Sequence, residues 1–161
     1  MSRIDFSTMA KSSSLDDSHH LVRHIRESEI DDQEGKLLAF PQAFALRPKE
    51  TYLSNGWLEF FDGTVDAQLS GVAAMMSKTR AVKAHHALAI GRVGDIRDTC
   101  LSFDQKVRIL HEPFEDNLAY AAVRRINTDE SQLLELLAQE AWSDVRLAKP
   151  YVEAIGPWKA A

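Results

Sequence analysis

The chain has 161 residues, 45% hydrophobic and 27% charged, with a formal charge of -5 and a pI of about 5.7. That length supports one full core and is too short for two comfortable domains. The acidic balance argues against general nucleic-acid binding, which draws affinity from Lys and Arg set against phosphates, although it leaves room for a local basic patch. The single cysteine, Cys100, cannot form an internal disulfide. No apolar run approaches the roughly 20 residues needed to span a bilayer, which excludes a membrane protein. The N-terminus lacks the apolar core of a secretory signal, so the expected compartment is the cytoplasm.

Residues 1–17, rich in Ser and Asp, read as a disordered tail. Residues 18–149 read as one globular domain, and residues 150–161 as a C-terminal tail anchored by Tyr151 or Trp158. Residues 20–25 alternate as a strand, with Leu21 and Ile25 on one face and Val22 with His20 and His24 on the other. Residues 37–40 and 43–46 suit two short strands, or one interrupted at Pro41, which cannot donate to a ladder. Ser54 or Asn55 can cap a short helix that buries Trp57, Leu58 and Phe61. Thr64 caps a longer helix to about Lys78, because Val65, Leu69, Val72, Ala73 and Met76 recur on one face.

Residues 84–93 read as a central strand, with no charge before Arg92. Gly94 and Asp95 open a short helix that turns Ile96 and Cys100 inward. Residues 105–110 alternate as a strand with one wet face. Residues 119–126 read as a further strand, although their alanines also permit a helical turn. Thr128 caps a last long helix, with Leu133, Leu134, Leu137, Ala141, Trp142 and Val145 as its apolar stripe and Pro150 as its end. Without a regular βαβ succession, the expected fold is α+β: a mixed or mostly antiparallel sheet of four to six strands with about three packed helices.

Chemistry is most credible at the loop after residue 110, where His111, Glu112, Asp116 and Asn117 crowd between two apolar segments. A carboxylate beside imidazole fixes its tautomer and raises its basicity, so Asp116 could orient His111 as a general base. The structural alternative is that Asp116 and Asn117 bond the backbone of their own turn. His20 and His24 have the spacing of zinc ligands on a helix, but they lack the Glu of H-E-x-x-H and sit in a strand-like stretch, so no metal is expected. Arg23, Arg124 and Arg125 could clamp an anion if the sheet brings them together. Ser54 lacks the Gly-x-Ser-x-Gly setting of an exposed nucleophile. Cys100 reads as an inert buried thiol. Gly91 and Gly94 are spaced too closely for a dinucleotide fingerprint, so no cofactor is expected.

His20-Leu-Val-Arg-His24, Phe44-Ala-Leu-Arg47, the stretch from Tyr52 to Phe61, Ala89-Ile-Gly-Arg-Val-Gly94 and the stretch from Ile109 to Asn117 together resemble a family of small single-domain bacterial proteins with no assigned activity. The resemblance covers about residues 20–137. It implies a single domain and lends no mechanism. Similar sequences often carry a His where this chain has Tyr120, which would leave a two-histidine arrangement with His111 incomplete here.

Two readings follow. The first is a non-catalytic adaptor or accessory subunit that binds a larger bacterial protein encoded nearby, in a multi-gene defence or stress system such as antiphage defence. Its aromatic cluster at Trp57, Phe60 and Phe61 would serve as an anchor. The second is a small hydrolase or transferase acting on a phosphate-containing substrate, with His111 as base, Asp116 orienting it, and His20, Arg23 and Asn117 in binding roles.

Overall fold

The computed structural model describes residues 12–161, and all of the following concerns those residues. Nine strands are present: β1 (Ser13–Ser14), β2 (His20–Ile25), β3 (Ile30–Gln33), β4 (Lys36–Ala39), β5 (Tyr52–Trp57), β6 (Ala87–Arg92), β7 (Arg108–His111), β8 (Tyr120–Arg124) and β9 (Asp144–Leu147). Four helices accompany them: α1 (Val65–Met76), α2 (Val93–Leu101), α3 (Ser131–Leu136) and α4 (Lys149–Val152). Seven strands form one sheet in the order β1-β7-β8-β5-β2-β6-β9, with every neighbouring pair antiparallel, and β3 and β4 form a separate hairpin. The fold is α+β as expected, but the sheet is larger than the four to six strands expected. No helix is long and apolar enough to cross a membrane.

Strand alternation gives this sheet two buried faces and hence two cores. On the first face, Leu21, Ile25, Leu53, Ala87, Ala89, Ile109, Ala121 and Val123 pack against Ile96 and Cys100 of α2, Leu133 of α3, and Leu137 and Trp142 beyond it. On the second, Val22, Leu88 and Ile90 meet Leu69, Val72, Ala73 and Met76 of α1, with Tyr151 of α4. The alternation expected for residues 20–25 is therefore what separates the cores: Leu21 and Ile25 serve one, Val22 the other. Burying each such aliphatic side chain contributes about 1.5–3 kcal/mol.

The expected α1 forms with its Thr64 cap, whose Oγ1 accepts from Ala67 N at 3.2 Å. Four local expectations fail. Ser54 and Asn55 cap no helix; they lie in β5, paired with Ala122 and Ala121 of β8, and only a 3-10 turn, Leu58–Phe60, follows. Thr128 spends its hydroxyl on Leu46 N at 2.9 Å, so α3 starts after Glu130. The last long helix is broken: α3 widens into a π turn at Leu137–Ala141, and Val145 then enters β9 against Ala89 of β6. Pro41 opens a 3-10 turn, Pro41–Phe44, instead of bending a strand.

The expected tail to Asp17 lies partly in residues 1–11, outside the described residues. Within them β1 pairs with β7, and Leu15 is buried, its N–H donating to Ile109 O at 3.0 Å. At the other end, α4 spans Lys149–Val152, and Ala161 N donates to Phe60 O at 2.8 Å.

Close packing fixes the glycine in β6. A Cβ on Gly91 would stand 2.8 Å from Trp142 Cδ1 and 2.9 Å from the backbone oxygen of Ala141. The backbone oxygen cannot rotate aside, so strand β6 and the π turn would have to separate. Gly91→Ala should destabilise the protein by about 1–3 kcal/mol, the usual cost of overpacking, measured as a lowered urea midpoint with unchanged m value.

Candidate functional site

Helix α1 covers the second face over β5, β2 and β6. Its backbone approach is close, since a Cβ on Gly56 of β5 would stand 2.5 Å from Val72 Cγ1. Toward β8 and β7 the same face stays open. The pairings Tyr52 with Arg124 and Arg108 with Arg124 place these three residues in one row across β5, β8 and β7. The next row on that face holds Ser54, Ala122 and Leu110. Arg80, from the segment after α1, and Glu112, Pro113 and Phe114, from the segment after β7, close the sides of a cleft of about 730 Å³.

Three guanidinium groups, those of Arg80, Arg108 and Arg124, line this cleft with a single carboxylate, Glu112. Arg124 and Glu112 form a bidentate pair, Nε to Oε2 at 2.5 Å and Nη2 to Oε1 at 2.6 Å. The Arg124 guanidinium also lies 4.3 Å from the centroid of the Tyr52 ring, a cation–π contact. Hydrogen bonding to Glu112 holds the Arg124 pKa above its ordinary value. Arg80 and Arg108 have no side-chain hydrogen bond or carboxylate partner among the described residues. Burial, and then the nearby positive charge of Arg47, lower the pKa of Arg80. Arg108 is the like-charged register partner of Arg124 across the strands, and Glu112 offsets the charge of Arg124 alone.

Tyr120 forms the floor. Its hydroxyl and Ser54 Oγ are 2.8 Å apart, and burial raises its pKa further above the ordinary phenol range. Tyr52 meets the Tyr120 ring edge-on at 6.4 Å, and Phe114 does so at 5.2 Å from the rim.

The residues expected to carry chemistry do not gather here. His111 pairs with Ala121 on the first face, and its Nε2–H donates to Leu118 O at 2.7 Å; burial lowers its pKa and this bond partly restores it. The expected pairing with Asp116 is not formed, because that carboxylate is exposed and makes no bond among the described residues. Trp57 packs on His111 with ring centroids 4.7 Å apart, and on His19 and Phe60. His20 meets a carboxylate that the sequence did not suggest: Glu59 accepts from its backbone N–H and lies 2.9 Å from its Nδ1.

Arg23 is buried and donates to two carbonyls, Ala43 O at 2.8 Å and Ser54 O at 2.9 Å, and burial lowers its pKa to about 10. It bridges β2, β5 and the Pro41–Phe44 turn. Asn117 is buried in its turn, with Oδ1 accepting from Ala119 N at 3.1 Å, which is the structural role weighed for it. No group of three or more His, Cys, Asp or Glu side chains among the described residues is placed to hold a metal ion.

Of the arginines considered for an anion clamp, Arg124 alone lines the cleft. Arg108 was legible as part of the wet face of its strand, though not as a site residue. Arg80 carries no sequence signal, since only the chain's path after α1 brings it to the cleft. No protein-family model, curated protein or solved structure matches this chain.

A second polar cluster lies outside the cleft. His86 Nδ1 accepts from Lys83 N at 3.1 Å, so it carries no hydrogen, and His24 Nε2–H must be the donor in the 2.8 Å contact between the two rings. A proton on His86 Nδ1 would break both bonds. Burial, reinforced by His86, lowers the His24 pKa from 6.5 to about 3, and burial also lowers that of His86. The unfolded chain thus binds more protons between those values, and stability that is complete above pH 6.5 is lost as the pH falls. Urea denaturation should show the protein less stable at pH 5 than at pH 7, by on the order of 2 kcal/mol from His24. His24→Gln, uncharged at both pH values, should flatten that dependence.

Proposed function

We propose that this protein is a non-catalytic binding module whose cleft on β5, β8 and β7 holds an anionic, phosphate-bearing ligand. The observation that carries this reading is the convergence of Arg80, Arg108 and Arg124 on one cleft, in a chain whose overall charge is -5. Glu112 already pairs Arg124, while Arg80 and Arg108 have no carboxylate partner among the described residues, and guanidinium groups match phosphate oxygens bidentately. Binding an anion thus returns what folding withholds.

A binding role is favoured over a catalytic one by the chemistry of the lining. Glu112 is engaged by Arg124, and burial raises the Tyr120 pKa so that the phenol keeps its proton, so neither is poised to accept a proton at pH 7. His111, the base of the hydrolase reading, faces the opposite side of the sheet. An accessory subunit that senses or presents a small ligand to a larger partner fits this description, and the partner reading stands as part of the same proposal.

Isothermal titration with inorganic phosphate and pyrophosphate at low salt tests the reading. Pyrophosphate should bind, and added salt should weaken it. Arg80→Ala and Arg108→Ala should each weaken it by about tenfold or more, since a charge-assisted hydrogen bond contributes roughly 1.5–3 kcal/mol. Absence of heat at millimolar pyrophosphate, or unchanged affinity in both variants, would discard the proposal.

A further inference from the structure

The cleft is much larger than a phosphate group needs, and its walls are not uniform. Its volume of about 730 Å³ lies within the range of sites that enclose whole small-molecule ligands, roughly 300–1,000 Å³. Beside the arginines the lining carries an aromatic and apolar set, Phe114, Pro113, Leu110 and Tyr120, together with hydroxyl side chains. Phe114 is 39% exposed, one of few large apolar side chains left so open among the described residues. The turn that carries it is built and not loose, with Phe114 N donating to Asn117 O and Asn117 N donating back to Phe114 O at 3.0 Å. Tyr120 fixes the Phe114 ring edge-on at 75°, which leaves ring surface free.

From this we infer that the ligand is a mononucleotide, its phosphate on Arg108, Arg80 and Arg124 and its base stacked on Phe114. The inference rests on the anion-binding reading above. An aromatic ring offers any base a stacking surface independent of its hydrogen-bonding edge. Hydroxyl groups of Thr79 and Ser12 border the same cleft, within the lining that a sugar would meet. Thr79 Oγ1 gives its hydrogen to Met76 O at 3.3 Å, so it offers lone pairs to a sugar hydroxyl. A sugar phosphate would leave the Phe114 side unfilled, and an uncharged nucleoside would leave the arginines unpaired. The free nucleotide satisfies both ends. A long nucleic acid is the less suitable source of this chemistry, because the acidic chain would repel the rest of its backbone.

The test is calorimetric titration of the full chain with the four common ribonucleoside 5′-monophosphates, ribose 5-phosphate and inorganic phosphate. At least one nucleotide should bind about tenfold or more tightly than ribose 5-phosphate. Phe114→Ala should weaken that nucleotide by about tenfold and leave inorganic phosphate unchanged, as a stacking contact on an exposed turn requires. Circular dichroism and the melting temperature would show that the variant is folded. If ribose 5-phosphate binds as tightly as every nucleotide, or Phe114→Ala changes nothing, the nucleotide inference is overturned while the anion site stands. If none of the phosphates binds, both fall together.

Discussion

Coverage of the sheet by α1 is the constraint from which the rest of the structure follows. The helix has twelve residues, about 18 Å of length and some 10–12 Å of width, while seven strands at about 4.8 Å spacing span close to 29 Å. Gly56 lets α1 settle directly on the sheet through Val72, and Phe61 lies against Gly71 on the same helix. That close seat seals the second core around Val22, Leu88 and Ile90 and leaves the face open toward β8 and β7. On the first face α2, α3 and the π turn cover what one helix could not, with Trp142 stacked on Phe44 at 5.0 Å.

What the open part of the face exposes is a consequence of register. Pairing Tyr52 with Arg124 and Arg124 with Arg108 sets two like charges side by side on a surface that folding alone would prefer mixed or apolar. Glu112 answers one of them, and the Tyr52 ring shares it. The other remains, together with Arg80, half-buried and beside Arg47 in the field of further positive charge. Where local choices conflict with stability in this way, a functional use is the usual compensation.

Polar residues weighed for binding or metal roles, Arg23, Asn117 and His24, also make structural contacts. Arg23 holds β2 and β5 together where their ladder is short, having only the pairs Leu21 with Trp57 and Val22 with Gly56. Asn117 closes the turn that presents Phe114, and His24 and His86 tie β2 to the segment before β6. Each is a buried polar group satisfied by a nearby partner, which is the common fate of such groups in folded proteins.

The elements readable from sequence were those whose signal is local and periodic. Alternation in residues 20–25 and 84–93 and the apolar face of α1 after Thr64 were legible because side-chain direction follows directly from backbone period. The α+β class followed from them. Strand number did not, because β1 and β9 are short stretches whose strand character comes from the partners β7 and β6, not from their own composition. For the same reason Thr128 looked like a cap and Ser54 like a helix start: the groups that claim them, Leu46 N and the β8 strand, lie far away in the chain. Sequence could name Arg124 as an anion ligand and leave Arg108 on a wet strand face. Only tertiary structure could decide that Arg80 joins them and that His111 faces the other way, since both depend on which side of the sheet the chain returns to after a turn.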